Sequence, residues 1–235
     1  MSLRELPRIE RLDLSVVELP DWHPEAPNHP NGVSVFGYVI DHPEGPIVFD
    51  TGVGFGNDFI DEVYVPRSEQ LAIALATHGI ALESVVAVVN SHLHFDHCGQ
   101  NPAFFGLDVP IYAQRAEIET VADDEFYTDR GWALAPEAQR RILDGDAAIA
   151  DGVTIVSTPG HTPGHQSLVV EAAAERVVLA GQLVWALSEF VDARPSPTNL
   201  HAPEWAEQAR ESIDRVRGLD ARRVYFGHCP HHDQL

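Results

Sequence analysis

The sequence predicts an α/β fold, an αββα sandwich in which two mixed β-sheets pack together with helices on the outer faces. Three observations predict it. Short β-rich runs alternate with segments of helical periodicity. Histidine and aspartate side chains follow directly after several of those runs. The chain has 235 residues, 44% of them hydrophobic, which is enough for a substantial core. We therefore expect residues 1–235 to form a single domain.

Eight runs rich in β-branched residues are the candidate strands. They are Ile9 to Leu19, Val33 to Ile40, Ile47 to Phe49, Val85 to Val89, Val153 to Val156, Ser167 to Val170, Val177 to Ala180 and Val224 to Phe226.

Three segments have the pattern of helices. After Pro66, Ser68 is the expected N-cap, Leu71 and Leu75 share one face, and Gly79 ends the helix. A second helix is expected from about Gln114 to Asp123. A third should open at Pro203, because apolar residues then recur at helical spacing until Gly218: Trp205, Ala209, Ile213 and Val216.

The run Ser91 to Gly99 contains three histidines and an aspartate directly after a predicted strand. Side chains two apart in an extended segment point the same way, so His92 and His94 can share one point in space. Asp96 and His97 follow where the chain can turn into a helix, and they can serve a second ion. Imidazole with carboxylate suits zinc or a similar divalent ion. The plain alternative is a hydrogen-bonded turn without a metal.

Two later histidines can complete such clusters. His161 lies in a loop rich in Pro and Gly after the run Val153 to Val156, and His228 follows the run that ends at Phe226. His165 lies four residues after His161 in the same loop, where we expect it to support the loop rather than bind metal.

This pattern resembles the metallo-β-lactamase superfamily, over nearly the whole chain. The resemblance implies the metallo-β-lactamase fold, with His92, His94 and His161 holding one metal and Asp96, His97 and His228 holding the other. It also implies that Asp50, in Phe49-Asp50-Thr51-Gly52, supports the metal-binding histidines from behind.

One position departs from the superfamily pattern. Gln182 stands where the aspartate that bridges the two metals is expected. Two divalent ions ~4 Å apart repel by about 16 kcal/mol at an effective dielectric of 20, and a neutral amide cannot offset this as a carboxylate does. We expect one tight zinc and a second metal that is bound weakly, through Gln182 or with a substitute carboxylate such as Glu189 or Asp192. Iron and manganese are the other candidate metals.

Within the superfamily, the sequence around the candidate metal ligands most resembles that of the N-acyl homoserine lactonase group. It includes His94-Phe95-Asp96-His97-Cys98-Gly99 and the stretch Thr158 to Leu168. Those lactonases carry a tyrosine three residues after the bridging aspartate, directed toward the substrate carbonyl oxygen, and this chain has Trp185 there. An indole can donate one hydrogen bond but has no proton to give in catalysis.

The ligand set predicts a metal-dependent hydrolase in which a metal-bound hydroxide opens a lactone or cleaves a related carboxylic ester. Asp96, His97 and Trp185 are the candidate catalytic residues, with Asp96 as a metal ligand or as the group that orients water and moves its proton. Two alternatives remain: an iron-dependent thioester hydrolase or oxygenase of the same superfamily, and a non-catalytic binding module with a decayed second metal site.

The charge pattern bears on partners. With 15 basic and 36 acidic residues the formal net charge is −21, which argues against a nucleic-acid partner. We find no signal peptide and no apolar stretch long enough to span a membrane, so we expect a cytoplasmic protein that acts on a small molecule. The sequence leaves open whether the chain forms a homodimer.

The segment from Asp21 to Gly32 is too rich in Pro, Asn and His for regular structure. It could be a lid over the site or a plain surface loop. His23 and His29, which it contains, are expected to be surface or hydrogen-bonded histidines.

Overall fold

The computed structural model describes residues 8–124, 127–172, 175–199 and 203–230, and its strands form two mixed sheets. The first sheet has the strand order β4-β1-β2-β3-β5-β6-β7. Its strands are β1 (Arg8–Val17), β2 (Val33–Asp41), β3 (Ile47–Phe49), β4 (Arg67–Ser68), β5 (Ala87–Val89), β6 (Ile111–Gln114) and β7 (Arg140–Leu143). Pairing from β4 to β3 is antiparallel, and from β3 to β7 it is parallel.

The second sheet has the order β12-β11-β10-β9-β8. Its strands are β8 (Ala147–Ala150), β9 (Val153–Ser157), β10 (Gln166–Ala172), β11 (Glu175–Leu179) and β12 (Arg223–Tyr225). All pairs are antiparallel except β11 with β12, which is parallel.

The described α-helices are α1 (Asp58–Tyr64), α2 (Leu71–Thr77), α3 (Phe95–Cys98), α4 (Arg115–Asp123), α5 (Arg130–Ala133), α6 (Leu187–Val191) and α7 (Pro203–Arg217). Short 3-10 turns cover Ala26–Asn28, Leu82–Ser84, Asn101–Phe104 and Pro197–Asn199. No helix within the described ranges combines the length and apolar character needed to cross a bilayer.

The buried apolar side chains form layers that explain the sandwich. Between the sheets, Phe49 and Val89 of the first pack with Ile155, Leu168 and Leu179 of the second. Outside the first sheet, α2 contributes Leu71, Ala74 and Leu75. Outside the second, α6 and α7 contribute Phe190, Ile213 and Val216. The predicted αββα architecture is therefore confirmed.

Most predicted elements are present, and the differences have local reasons. The helix after Pro66 begins at Leu71 with Gln70 as its N-cap, so the prediction of Ser68 as the cap was wrong. Ser68 instead lies in β4, where its hydroxyl accepts a hydrogen bond from Ser15 at 3.0 Å. Four strands were missed, β4, β6, β7 and β8; each has two to four residues, and charged or alanine residues weaken the apolar signal of β7 and β8.

Candidate metal centre

Three loops that follow strands deliver the predicted metal residues to one place. The loop after β5 carries His92 and His94, and α3 begins directly after them. The turn into α3 changes the direction of the side chains, so Asp96 and His97 face a second point. His161 comes from the loop after β9, and His228 from the chain after β12. The first sheet therefore supplies four of these residues and the second sheet two.

The structure groups these six side chains into two clusters, each with one ligand atom per residue and all atoms within 4.8 Å of one another. The first cluster is His92, His94 and His161. The Nδ1 atom of His94 lies 2.9 Å from Nε2 of His92 and 3.2 Å from Nε2 of His161.

The second cluster is Asp96, His97 and His228. The Nε2 atoms of His97 and His228 are 3.2 Å apart, and they lie 3.5 Å and 3.4 Å from Oδ2 of Asp96. The two clusters are the two sets that the sequence predicted.

The spacing fits metal coordination. Tetrahedral zinc with bonds of about 2.0–2.1 Å holds its ligand atoms about 3.3 Å apart, close to the spacing in both clusters. Nitrogen lone pairs that face one another at this distance repel unless a proton or a cation lies between them. Nδ1 of His161, on the far side of its ring, is buried without a hydrogen-bond partner among the described residues. The donor set therefore suits a divalent ion at each cluster.

Burial sets the protonation state of most of these histidines. It lowers the pKa of His94 and of His228 to about 4, and it lowers the pKa of His92 and of His161 well below 6.5. The imidazoles are therefore neutral at pH 7, which is the form that binds metal.

His97 behaves differently. Burial alone would lower its pKa, but the carboxylates of Asp96 and Asp50 outweigh burial and raise the pKa to about 9. Burial also opposes ionisation of Asp96, yet the nearby His97 and His228 hold the pKa of Asp96 below its ordinary value. Asp96, His97 and His228 would hold a metal ion here, and His97 would bind it in place of the proton.

Carboxylate and backbone groups fix the imidazole rings from behind. Oδ2 of Asp50 lies 2.9 Å from Nδ1 of His97 and accepts a hydrogen bond from the Ser91 hydroxyl at 2.8 Å. Nδ1 of His228 lies 2.9 Å from the carbonyl oxygen of Ser34. A proton on each Nδ1 leaves Nε2 free for a metal, which is the usual arrangement behind metal-binding histidines.

Glu117 is a buried carboxylate that sequence reasoning did not single out. Its Oε2 accepts hydrogen bonds from the backbone N–H of Leu93 at 2.9 Å and from the Tyr127 hydroxyl at 2.8 Å. Its Oε1 accepts from the Thr162 hydroxyl at 2.5 Å and from the backbone N–H of Gly164 at 2.9 Å. Glu117 thus joins the loop of His92 and His94 to the loop of His161.

The expected substitute carboxylates do not reach the centre. Oε2 of Glu189 accepts hydrogen bonds from the backbone N–H groups of Trp185 and Ala186 and from the Ser196 hydroxyl. Glu189 therefore caps its own helix, and Asp192 is exposed at the end of that helix. That part of the sequence-based hypothesis was wrong.

His165 lies behind the first cluster, outside both groups of ligands. Its Nδ1 is 2.9 Å from both the hydroxyl and the carbonyl oxygen of Thr158.

Gln182 and Trp185 both face the centre, in different ways. Oε1 of Gln182 lies 3.2 Å from Nε2 of His97, at the edge of the second cluster. The Trp185 ring stacks on His228, with 4.7 Å between ring centres and 18° between planes. The Trp185 indole N–H donates to the Thr198 hydroxyl at 3.2 Å. Because this single donor is engaged, the indole N–H is not directed at a substrate.

The two clusters open into a cavity of about 770 Å³. His94, Asp96, His161, Gln182 and His228 line this cavity. The apolar and aromatic part of its lining consists mainly of Val17, Leu19, Trp22, Val33, Phe59, Ile60, Tyr64 and Phe95. The segment 21–32 contributes Trp22 and His23 to this lining. A small amphipathic molecule fits a cavity of this size and composition.

The comparison with family models agrees with this geometry. The model described as the metallo-beta-lactamase superfamily matches residues 30–228. The chain belongs to the metallo-beta-lactamase superfamily.

Relatives in the superfamily include N-acyl homoserine lactonases. One from Bacillus sp is 32% identical over 214 residues, covering 83% of this chain and 80% of the relative. Another from Bacillus cereus is 32% identical over 210 residues, with the same coverage. A probable metallo-hydrolase, YflN, from Bacillus subtilis is 30% identical and covers 60% of this chain and 63% of the relative.

Solved structures agree. A variant of AiiA from B. thuringiensis with N-decanoyl-L-homoserine at its active site is 25% identical, with a TM-score of 0.76 over 96% of this chain and 94% of the other. A quorum-quenching N-acyl homoserine lactone hydrolase is 26% identical, with a TM-score of 0.77 over 96% and 93%. This member of the metallo-beta-lactamase superfamily is thus an enzyme of the metallo-hydrolase class.

Proposed function

We propose that this enzyme opens lactones or cleaves related carboxylic esters, with N-acyl homoserine lactones as the first candidates. The observation that supports this proposal is that two clusters of candidate metal ligands open into one largely apolar cavity. The N-acyl homoserine lactonases among its relatives support the substrate class.

The ligand roles follow from the two clusters. His92, His94 and His161 would hold one tight divalent ion, with zinc favoured by the nitrogen donors. Asp96, His97 and His228, with Gln182 beside them, would hold a second ion less tightly, because the neutral Gln182 occupies the position expected for the bridging carboxylate. When bound, such an ion supplies Lewis acidity and lowers the pKa of water from ~15.7 to ~7.

Asp96 is the group that can move a proton. Its carboxylate lines the cavity and has a lowered pKa, so it is ionised at neutral pH. In our proposal Oδ1, the oxygen of Asp96 that is not the ligand atom of the second cluster, accepts the proton of the attacking water and returns it to the leaving oxygen of the ring. His97 holds Asp96 in position, with Asp50 fixing His97 from behind.

The role of Trp185 in this proposal is to position the His228 ring, and it does not transfer a proton. It packs flat against His228, so it fixes the orientation of that ring and closes one side of the cavity. The apolar part of the cavity lining would take an acyl chain. The net charge of −21 disfavours polyanionic substrates and is compatible with a neutral lactone.

The test is elemental analysis of the purified protein, followed by assays on N-acyl homoserine lactones, aryl esters and glutathione thioesters. We expect ring opening of the lactones, loss of activity on chelation and recovery with zinc. Asp96→Asn should lower kcat at least 10²-fold. Asp192→Asn, which changes an exposed carboxylate, should not. Activity confined to thioesters with bound iron, or inactivity of the zinc-loaded enzyme on lactones and esters, would refute the proposal.

A further inference from the structure

The segment 21–32 brings two histidines against Trp185, and only one of them lines the cavity. The His23 ring lies 5.5 Å from the Trp185 ring, and the His29 ring lies 5.6 Å from it. His23 lines the same cavity as the metal clusters, whereas His29 lines a separate surface depression. The segment therefore places one imidazole in the lining of the cavity into which the metal clusters open.

A backbone hydrogen bond fixes the tautomer of His23. The backbone N–H of Glu25 donates to Nδ1 of His23 at 3.2 Å. Nδ1 must then carry the lone pair, so a neutral His23 ring carries its proton on Nε2. Among the described residues the structure gives Nε2 no hydrogen-bond partner. Burial lowers the pKa of His23, although Asp96 opposes this, so the neutral form is the relevant one at pH 7.

Three other hydrogen-bond donors of the cavity lining are engaged elsewhere. The Trp185 indole donates to Thr198, and the Tyr127 hydroxyl donates to Glu117. The Asn57 amide donates to Asp129 at 2.9 Å. The lining also contains the Trp22 indole, the Gln182 amide, and the Thr128 and Tyr64 hydroxyls, and the Tyr64 ring packs on Phe95 at 4.4 Å. His23 instead adjoins Trp185, which stacks on His228 at the second cluster.

Resting on the proposed hydrolytic function, we propose that His23 is a catalytic residue. Its Nε2–H donates a hydrogen bond to the substrate carbonyl oxygen as that oxygen gains negative charge, and the proton stays on the ring. Glu25 holds the tautomer through its backbone, and Trp185 supports the ring. Hydrogen-bond donors fixed in this way stabilise the transition state more than the ground state.

The kinetic test compares His23→Ala, His23→Gln and His29→Ala on the best substrate of the panel, at equal metal content. We expect His23→Ala to lower kcat by about 10²–10³-fold with a KM within about threefold of wild type. His23→Gln should recover part of kcat, because its amide N–H can replace the donor. His29→Ala should match wild type, since His29 touches Trp185 without lining the cavity.

A binding measurement separates this proposal from the proposed function. Butyl methylphosphonate carries a tetrahedral phosphonate whose charged oxygens mimic the transition state, and its affinity can be measured by calorimetry. We expect His23→Ala to weaken its binding at least tenfold and His29→Ala to leave it unchanged. Equal affinity for wild type and His23→Ala overturns the role of His23, whether or not the panel reveals a substrate. Unchanged kcat in His23→Ala, with the loss in Tyr64→Phe instead, overturns it as well.

Discussion

Glu117 shows how one buried side chain can set the geometry of a metal cluster that it does not touch. Three of its four hydrogen bonds come from the two loops that carry metal-cluster histidines, and the fourth comes from Tyr127. Leu93 lies between His92 and His94, and Thr162 follows His161. The carboxylate is fully buried, and burial raises its pKa despite these hydrogen bonds. It therefore couples the two halves of the first cluster.

We predict that Glu117→Gln weakens zinc binding at this cluster by about 10–100-fold. The amide NH₂ must face donors that the carboxylate accepted from, so at least one buried N–H or O–H loses its partner. Competition with a chromophoric chelator measures the affinity. Glu119→Gln, exposed on the same helix, is the control. Wild-type affinity in Glu117→Gln would show that the loops keep their geometry without the carboxylate.

Gln182 is a second residue whose effect on metal binding can be measured. Its carbonyl oxygen stands beside His97, where it adds no negative charge to a cluster whose only carboxylate is that of Asp96. We predict that Gln182→Asp raises the tightly held metal content from about one to about two ions per chain, because the new carboxylate offsets the repulsion between the ions. Elemental analysis after gel filtration against a weak chelator checks this. Gln100→Asp, at a buried glutamine outside both clusters, should not raise metal content.

The sequence predicted which six side chains come together and that Asp50 stands behind them, but it did not point to Glu117 or His23. Candidate metal ligands can be recognised from their residue type and from their position directly after a strand, as with His92 to His97. Glu117 and His23 have ordinary residue types, and their roles depend on how α4 and the segment 21–32 fold back over the centre. For His23, the only signal in the sequence is its short spacing from Glu25, which permits the hydrogen bond between the ring and the Glu25 backbone.

At the scale of elements, α7 supports the loop that carries His161. The Ser212 hydroxyl donates to the carbonyl oxygen of Pro159 at 2.6 Å, and Arg215 donates to that of Ser157 at 2.7 Å. Gly160 directly follows Pro159 with a φ of +149°, and a Cβ atom there would approach Cα of Ala209 to 2.5 Å. The helix predicted from Pro203 is therefore part of the scaffold of the site, which its periodicity could not reveal.

We predict that Gly160→Ala lowers the free energy of unfolding by about 1–3 kcal/mol and weakens metal binding, because the loop must move away from α7 and take His161 with it. Denaturant unfolding and zinc competition measure the two effects. Gly79→Ala is the matched control: its φ of +75° is also unfavourable for alanine, but nothing lies within 4 Å of the added Cβ. That variant should lose about 1 kcal/mol and keep wild-type metal affinity. If Gly160→Ala bound zinc as tightly as wild type does, the contact between α7 and the loop of His161 would not control the metal site.

At the scale of the whole molecule, the metal clusters join the two sheets. His92, His94, Asp96 and His97 follow a strand of the first sheet, whereas His161 and His228 follow strands of the second. The apolar layer between the sheets joins them as well, through residues such as Phe49 and Leu168. This shared core is why we propose that the whole chain forms one domain.

We predict that the metal-free protein stays folded and that metal raises its melting temperature. The core between the sheets does not depend on an ion, unlike that of a zinc finger. An ion that binds only the folded state at 100 times its Kd adds about 2.7 kcal/mol. For a domain of this size that corresponds to a rise of about 5–10 °C.

Circular dichroism of the chelated protein, before and after adding zinc, measures this change. Magnesium should give no comparable shift, because it prefers oxygen ligands and five of the six candidate ligands are imidazoles. A chelated protein without a cooperative transition would mean that the clusters, and not the apolar layer, hold the sheets together. If adding zinc left the melting temperature unchanged, the conclusion would instead be that these clusters do not bind the metal.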